Sequence, residues 1–277
     1  MLPVTVGDGT GDEVTITSVD RIIPVDGDLA EVVFALGLGD RVVATDMSAT
    51  YPPEADALPE IGYQRALATE PILAQSPSVV LATDTARPTE VLDQLSSHVP
   101  VVVVEAPDEL DGPAQKIRAV AEALGVPGRG EEQARATEAA IAEAVASVPA
   151  SPPPLEVAAL YLRGDRVQQL FGPGSGIHVL LEAAGVVDVG EVLGVDEIEP
   201  ISTEALVREG PDVLLVTTTG LESVGGVDGL LAMPAFSRSP AAAERRVLAY
   251  EDQYLYGFGP RTGELLAELV HDLYTPN

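Results

Sequence analysis

The sequence predicts an α/β protein with two open α/β lobes joined by a long helical connector. Short β-branched runs alternate with helix-period stretches in both halves of the 277-residue chain. This alternation is typical of sheets covered by helices. Between the halves lies an Ala- and Glu-rich stretch that favours helix strongly. We predict an N-terminal lobe over residues 1–110, a connector over 111–150 and a C-terminal lobe over 151–277.

The N-terminal lobe is predicted from continuous apolar runs that Pro, Gly or Asp residues bound. The strands are expected at residues 21–25, 41–45, 78–82 and 99–104, with helices at 29–38 and 88–95. Continuous runs of this length are typical of parallel strands that are buried on both faces.

The connector is predicted from residues 111–148, which contain many Ala, Glu and Arg residues. The segment Gly-Val-Pro-Gly-Arg-Gly at 125–130 interrupts this stretch, and we expect it to bend or split the helix. A run of three prolines at 152–154 then ends the helical stretch. A flexible tether would be rich in Gly and Ser instead.

The C-terminal lobe repeats the pattern of the first. Strands are expected at residues 155–161, 212–216 and 246–250. A glycine-rich segment, Gly-Pro-Gly-Ser-Gly at 172–176, precedes a helix predicted over residues 178–184. Such a loop can present amides to an anion, but we favour an ordinary strand-to-helix turn.

A weak internal repeat relates the two lobes. Pro77 lies seven positions after Glu70, Pro211 lies seven positions after Glu204, and a predicted strand follows each proline. The repeat predicts a helix that runs into a strand in each lobe. Each glutamate then lies in the first turn of its helix, where the helix dipole favours a carboxylate.

Composition excludes several classes of function. The chain has 15 Lys and Arg residues against 44 Asp and Glu residues, and its formal charge is −29. Duplex nucleic acid and anionic membranes repel such a protein unless it concentrates a basic patch, and the sequence contains none. The absence of cysteine excludes disulfides, zinc fingers and iron–sulfur clusters. Lys116 is the one lysine of the chain.

No pattern in the sequence indicates catalysis, so we expect a binding protein and not an enzyme. Three histidines, His98, His178 and His271, stand apart from one another and have no carboxylate at metal-ligand spacing. Neither a Gly-x-Ser-x-Gly nucleophile segment nor a Gly-Lys-Ser/Thr phosphate loop is present. A two-lobed protein with these features is expected to bind a ligand.

Two tyrosine–arginine pairs are the candidate ligand-binding residues. Tyr63 and Arg65 lie in the N-terminal lobe, and Tyr161 and Arg163 end the first strand of the C-terminal lobe. In open α/β sheets, ligands bind near strand ends. Tyrosine oxygen is an axial ligand of haem iron. An arginine two positions later can stabilise the phenolate or pair with a haem propionate.

These segments resemble the iron-complex and cobalamin substrate-binding proteins of ABC importers. Within that group, the chain looks most like the haem-binding proteins of haem uptake systems. The resemblance extends from about residue 21 to the C-terminal region. It rests on five segments: residues 25–37, 58–70, 161–164, 220–229, and Gly-Phe-Gly-Pro-Arg261-Thr at 257–262.

The resemblance implies a fold like that of class III periplasmic binding proteins and a role in delivering ferric haem to a permease outside the cytoplasm. Tyr63 and Tyr161 match the axial-ligand positions, and Glu70 and Glu204 match carboxylates that dock onto permease arginines. Tyrosine at both positions leaves open whether one haem or two are bound. His178 is an alternative ligand. The chain would reach the membrane only through the permease or a removed lipid anchor.

Two other functions are weighed against haem binding. A ferric siderophore or a corrinoid could occupy the same kind of protein, although an anionic siderophore would need more basic residues than this chain offers. An enzyme resembling a nitrogenase component would share the two-lobed fold. Such an enzyme needs cysteines to hold its cluster, and the chain has none.

Overall fold

The structure, a computed structural model, describes residues 2–7, 11, 13–105, 109–151, 153–164 and 166–275. The chain forms two compact units. Unit 1 contains the described parts of 1–107, 111–139 and 257–262, and unit 2 contains those of 108–110, 140–256 and 263–277. The helical stretch predicted as a connector is therefore divided between the units at residues 139 and 140.

Eleven strands, fourteen α-helices and one short 3₁₀ helix (Gly39–Arg41) are assigned within the described residues. The strands are β1 (Val4–Gly7), β2 (Glu13–Ile16), β3 (Ile22–Pro24), β4 (Val79–Thr83), β5 (Val101–Val104), β6 (Glu156–Arg163), β7 (Val167–Phe171), β8 (Val187–Asp188), β9 (Ile198–Pro200), β10 (Val213–Thr217) and β11 (Val247–Tyr250). The helices are α1 (Gly27–Ala35), α2 (Pro53–Asp56), α3 (Thr69–Ala74), α4 (Thr89–Ser96), α5 (Gly112–Ala123), α6 (Pro127–Ala146), α7 (Gly176–Ala183), α8 (Val189–Val192), α9 (Thr203–Glu209), α10 (Thr218–Ser223), α11 (Gly226–Ala232), α12 (Pro240–Glu244), α13 (Asp252–Tyr256) and α14 (Thr262–Tyr274).

Unit 1 contains a parallel three-stranded sheet in the order β3-β4-β5. Successive residues of the central strand β4 point into different cores. Val79 and Leu81 belong to the cluster that also contains residues of α1 and α5, whereas Val80 and Ala82 belong to the cluster beside α3 and α4. The prediction of strands buried on both faces is confirmed for this sheet.

The strand predicted at residues 41–45 is wrong. Val42 forms a single parallel bridge to Ile22, and Thr45 forms another to Glu60. The amide of Thr45 donates to the carbonyl of Pro59 at 3.0 Å. The segment therefore leaves the sheet after one contact, because its second half pairs with the loop that precedes Tyr63.

A separate antiparallel pair, β1 and β2, was not predicted. Its register aligns Val4 with Ile16 and Val6 with Val14. Both four-residue strands alternate polar and apolar residues, and their exposure alternates in the same way. This period of two is the signal that would have predicted the hairpin.

Unit 2 contains a mixed sheet in the order β11-β10-β6-β7-β9, with β8 also paired to β6. The strands β11, β10 and β6 are parallel, as predicted. The antiparallel strands β7 and β9 were missed. Three residues separate β6 from β7, which is a hairpin connection and too short for the crossover that a parallel pair needs.

The stretch predicted as the connector forms a split helix, as the glycine-rich interruption predicts. The helix α5 ends at Ala123 and α6 begins at Pro127. Gly125 between them has a φ of +72°, a left-handed conformation that favours glycine. The amide of Val126 donates back to the carbonyl of Ala121 at 2.8 Å, which closes the end of α5.

Ion pairs fix the segment 257–262 to unit 1. The buried Lys116 pairs with Asp28 of α1 and donates to the carbonyl of Gly257 at 3.0 Å. Arg261 makes a bidentate pair with Glu31, also on α1, at 3.0 and 2.8 Å. The one lysine of this acidic chain therefore neutralises a carboxylate in the interior of unit 1.

Candidate functional site

Tyr63 lies in a loop of unit 1 that neighbouring backbone holds on two sides. The amide of Met47 donates to the carbonyl of Gly62 at 2.9 Å, and the amide of Arg87 donates to the carbonyl of Gln64 at 2.8 Å. Gly62 has a φ of +107°, so a side chain at this position would strain the loop. The Tyr63 side chain is 38% exposed.

The carboxylate of Asp46 lies beneath this loop and is only 1% exposed. Its Oδ2 accepts a hydrogen bond from the amide of Gln64 at 3.3 Å, and its Oδ1 accepts from the amide and hydroxyl of Ser48 at 3.2 and 2.7 Å. Burial raises the pKa of Asp46 to about 6, although these three donors oppose the shift. Sequence reasoning missed this residue.

Exposed apolar side chains accompany Tyr63. Met47 is 57% exposed and Tyr51 is 40% exposed. The guanidinium of Arg261 stacks on the Tyr51 ring at 3.6 Å from its centroid. This part of unit 1 therefore exposes aromatic and thioether surface, which suits a flat apolar ligand. The charge of Arg261 is already paired with Glu31. Arg65, two residues after Tyr63, is exposed.

The carboxyl ends of β3 and β4 carry further acidic residues. Asp26 precedes α1, and one of its carboxylate oxygens accepts a hydrogen bond from the Thr83 hydroxyl at 3.2 Å. Burial, followed by the negative charges of Asp28 and Asp46, raises the pKa of Asp26 well above its usual range. Lys116 opposes that shift.

Tyr161 and Arg163 lie in unit 2 on the same face of β6. The guanidinium carbon of Arg163 is 4.5 Å from the centroid of the Tyr161 ring, a cation–π arrangement. Side chains two apart on a strand point to the same face, which explains this contact. The two side chains predicted as a pair are therefore in contact, and their role in binding a ligand stays a prediction.

Aromatic residues surround Tyr161. The rings of Phe171 and Tyr256 each have their centroids 6.3 Å from that of Tyr161. Phe171 was missed because its strand, β7, was missed. Tyr256 was missed because it is separated from Tyr161 by 95 positions in the sequence, and only the folded sheet brings the two together.

Asp252 holds Arg163 in place. Its Oδ1 accepts from Arg163 Nη2 at 2.7 Å, and the second carboxylate oxygen is buried without a hydrogen-bond partner among the described residues. The Tyr256 hydroxyl is likewise buried without such a partner. Burial, and then the charge of Asp252, raises the pKa of Tyr256.

His178, the alternative ligand, is engaged within unit 2. Its Nδ1 lies 2.9 Å from Oδ2 of Asp188, and the histidine side chain is 18% exposed. Burial raises the pKa of Asp188, while the bond to His178 opposes the shift. Asp188 also caps α8 by accepting from the amide of Gly190 at 2.8 Å. A structural role therefore accounts for this histidine's contact.

The glycine-rich loop before α7 is a strand-to-helix turn. The amide of Gly172 donates to the carbonyl of Glu197 at 2.9 Å, and that of Gly174 donates to Asp196 at 2.7 Å. A Cβ added to Gly172 would lie 2.5 Å from the carbonyl oxygen of Val195. These amides therefore serve the fold of unit 2 and do not face an anion.

Glu70 and Glu204 occupy equivalent places in the two units. Each lies exposed in the first turn of a short helix, α3 or α9, and a fully buried five-residue strand follows each helix. Ser202 caps α9 by accepting from the amide of Ala205 at 3.3 Å. The internal repeat predicted from the sequence is confirmed as a helix followed by a strand.

The described residues contain neither a cluster of metal-binding side chains nor a helix suited to span a membrane. No three of their His, Asp or Glu side chains gather closely enough to hold a metal ion. Their helices also include none with the length and apolar character needed to cross a membrane.

The family described as periplasmic binding protein matches residues 22–254 of the chain. Three solved structures are similar over nearly the whole fold. The periplasmic heme-binding protein RhuT from Roseiflexus sp. RS-1, in apo form, is 46% identical with a TM-score of 0.90, covering 92% of this chain and 98% of that one. The heme-binding protein HmuT is 33% identical with a TM-score of 0.92, covering 100% and 91%. The periplasmic heme-binding protein BhuT, in complex with two hemes, is 34% identical with a TM-score of 0.83, covering 91% and 97%.

Other relatives have different descriptions. The cobalamin-binding protein of Halobacterium salinarum is 25% identical over 97% of this chain and 73% of its own length. An uncharacterised ABC transporter substrate-binding lipoprotein of Bacillus subtilis, YvrC, is 22% identical over 99% of this chain and 86% of its own length. Two HmuT structures carry replacements of a tyrosine and of an arginine two positions after it.

Proposed function

We propose that this chain, which belongs to the periplasmic binding protein family, binds ferric haem outside the cytoplasm and delivers it to the permease of an ABC importer. The observation that carries the proposal is the stacked pair of Tyr161 and Arg163, which an aromatic cluster and Asp252 hold in place. The likeness to RhuT, HmuT and BhuT supports haem as the ligand.

We infer that Tyr63 and Tyr161 are the ligands of the haem iron. A phenolate is an anionic oxygen ligand suited to ferric iron, and tyrosine is a known axial haem ligand. Arg65 and Arg163 would donate to the phenolate or to a haem propionate. HmuT has been studied with a tyrosine replaced and with an arginine two positions later replaced. The same Tyr-x-Arg spacing occurs at Tyr63 and Arg65 and at Tyr161 and Arg163, which supports the choice of these residues. Ferric haem is the transported ligand: each iron–phenolate bond would replace a water or hydroxide on the iron, the phenol proton would pass to that hydroxide or to solvent, and the porphyrin itself would stay unchanged.

The surroundings of each tyrosine suit a macrocycle. Around Tyr161, the rings of Phe171 and Tyr256 offer apolar surface at contact distance. Around Tyr63, Met47 and Tyr51 are exposed. A large planar ligand that covered these side chains would remove their apolar surface from water, which favours binding.

A corrinoid is the second candidate ligand, and the cobalamin-binding relative from Halobacterium salinarum favours it. The test is a titration of the purified protein with hemin and, separately, with cyanocobalamin, followed by visible absorption. We expect hemin to bind with a changed spectrum and cyanocobalamin not to compete. Binding of cyanocobalamin by a protein that binds no hemin, or displacement of bound hemin by an equal concentration of cyanocobalamin, would overturn haem as the ligand. The equivalence point of the hemin titration also decides between one haem and two.

We further propose that Glu70 and Glu204 dock the protein onto the permease. Both carboxylates are exposed and equivalently placed on their units. Two similar anionic points suit a partner that presents two similar cationic surfaces. The family is one of transport binding proteins, which supports a permease partner and a location outside the cytoplasm.

The docking proposal is tested by replacing both glutamates. Glu70→Ala with Glu204→Ala should leave the hemin affinity unchanged and abolish hemin-dependent stimulation of the permease ATPase in vesicles. The exposed Glu90, in the first turn of α4, offers a control, and Glu90→Ala should leave both properties unchanged. A fall in hemin affinity in the double variant would place these carboxylates in the ligand site instead.

A further inference from the structure

The turn formed by residues 46–48 is fixed against the start of α1. The amide of Gly27 donates to the hydroxyl of Ser48 at 2.9 Å, and that hydroxyl donates to Asp46 Oδ1 at 2.7 Å. A Cβ at Gly27 would lie 2.4 Å from the carbonyl oxygen of Ser48. The turn therefore packs so closely on α1 that only glycine fits there.

The turn at 46–48 also holds the Tyr63 loop. Asp46 Oδ2 accepts from the amide of Gln64, the residue after Tyr63, and the amide of Met47 donates to the carbonyl of Gly62, the residue before it. Hydrogen bonds on both sides of one residue restrict its backbone. The backbone position from which the Tyr63 side chain extends therefore depends on the turn at 46–48.

We propose that Asp46 is a positioning residue for Tyr63: its buried carboxylate links the start of α1 to the Tyr63 loop and holds the tyrosine ready to coordinate haem iron. The inference rests on the proposed function of Tyr63. A tyrosine whose backbone is held in place before haem binds loses less conformational freedom when the complex forms, so the affinity of the protein for haem is higher. Asp46 itself makes no bond to the iron.

The cost of burying Asp46 supports this role. Burial raises the pKa of this carboxyl to about 6, so a charged Asp46 at neutral pH is unfavourable for folding. Its hydrogen bonds to Ser48 and Gln64 compensate only in part, since the net shift remains upward. A buried carboxylate that lowers the stability of the fold is therefore accounted for by its second effect, which is to hold the Tyr63 loop in place.

The substitution Asp46→Asn tests the proposal. An asparagine keeps one acceptor oxygen but presents an amino group where the second oxygen stood, so it cannot accept from both Ser48 and Gln64. We expect hemin affinity to fall by roughly tenfold, the change that the loss of about one hydrogen bond to a charged group produces. The charge-transfer absorption of tyrosinate bound to ferric iron should weaken in parallel. Ser48→Ala should lower the affinity in the same direction.

A matched control lies in unit 2. Asp212 also accepts a backbone hydrogen bond between separate segments, from the amide of Glu156 at 3.0 Å. It lies beside the first residue of β6, whereas Tyr161 lies near that strand's other end. Asp212→Asn should leave hemin affinity and the spectrum unchanged. Far-UV circular dichroism of every variant verifies that it folds.

A double-variant cycle separates positioning from general damage. If Asp46 acts through Tyr63, Asp46→Asn should have little further effect in a Tyr63→Phe background. Equal effects of Asp46→Asn in both backgrounds, or a wild-type affinity in the single variant, would overturn the positioning role. A wild-type protein that binds no hemin would overturn the proposed function itself. A Tyr63→Phe variant with unchanged hemin affinity and spectrum would overturn the assignment of Tyr63 as an iron ligand. Either result would also overturn the positioning role of Asp46.

Discussion

Replacing Asp46 by asparagine should change how the stability of the protein depends on pH. The pKa of this carboxyl rises from 3.8 to about 6 on folding, chiefly through burial. A group whose pKa is raised in the folded state contributes stability that is fully present below its unfolded pKa and is lost as pH rises through its folded pKa. The relevant window is therefore pH 3.8 to about 6.

The size of the effect follows from the shift. At about 1.36 kcal/mol for each pKa unit, a rise from 3.8 to about 6 corresponds to ~3 kcal/mol. An asparagine is neutral at every pH, so the stability of the variant does not fall through this group as the pH rises. At pH 4, just above 3.8, a small part of this contribution is already lost. The unfolding free energy of Asp46→Asn, measured relative to wild type, should therefore increase by about 2.4 kcal/mol between pH 4 and pH 8.

The assay is denaturant unfolding at several pH values between 4 and 8. The chain contains no tryptophan, so the transition is followed by far-UV circular dichroism. Taking the difference between variant and wild type removes the contributions of the carboxylates that do not interact with Asp46. Asp26 is the exception, because the charge of Asp46 raises its pKa, and its contribution changes with the substitution. A difference that does not change with pH would show that Asp46 is charged in the fold without cost, and it would refute the reasoning from burial.

Other variants test separate contacts. Lys116→Met should lower the unfolding free energy by roughly 3 to 5 kcal/mol, because Asp28 would remain buried without its cation; a variant as stable as wild type in urea would contradict this pairing. Met47→Asp should weaken hemin binding, because it places a charge on apolar surface next to Gly62. The same substitution should change the unfolding free energy by less than about 0.5 kcal/mol, because the Met47 side chain is 57% exposed. Titration calorimetry and thermal unfolding check both halves of that prediction. Arg163→Met should lower hemin affinity more than Arg129→Met, and equal effects would argue against a specific role for the guanidinium stacked on Tyr161.

The strands and helices of each unit could be predicted where the local pattern is strong. The buried strand β4 is a continuous apolar run, and α4 begins directly after Pro88. The split between α5 and α6 follows from glycine and proline at 125–130. The predicted strand at 41–45 failed because Thr45 pairs with Glu60, a contact that no local pattern indicates.

The candidate site could be predicted only in part. The two Tyr-x-Arg segments stand out in the sequence because each is a local motif. Their supporting residues do not, because the contacts join distant positions: Asp252 is 89 residues from Arg163, and Asp46 is 18 residues from Gln64. Only the register of β6 and the turn at 46–48 bring these groups together.

The central claim, that two tyrosines hold ferric haem, is tested most directly by titrating hemin into the wild-type protein and into Tyr63→Phe, Tyr161→Phe and the double variant. We predict that each single variant binds hemin more weakly and with an altered visible spectrum. The double variant should lose the tyrosinate charge-transfer absorption entirely. Wild-type affinity and an unchanged spectrum in the double variant would contradict the claim.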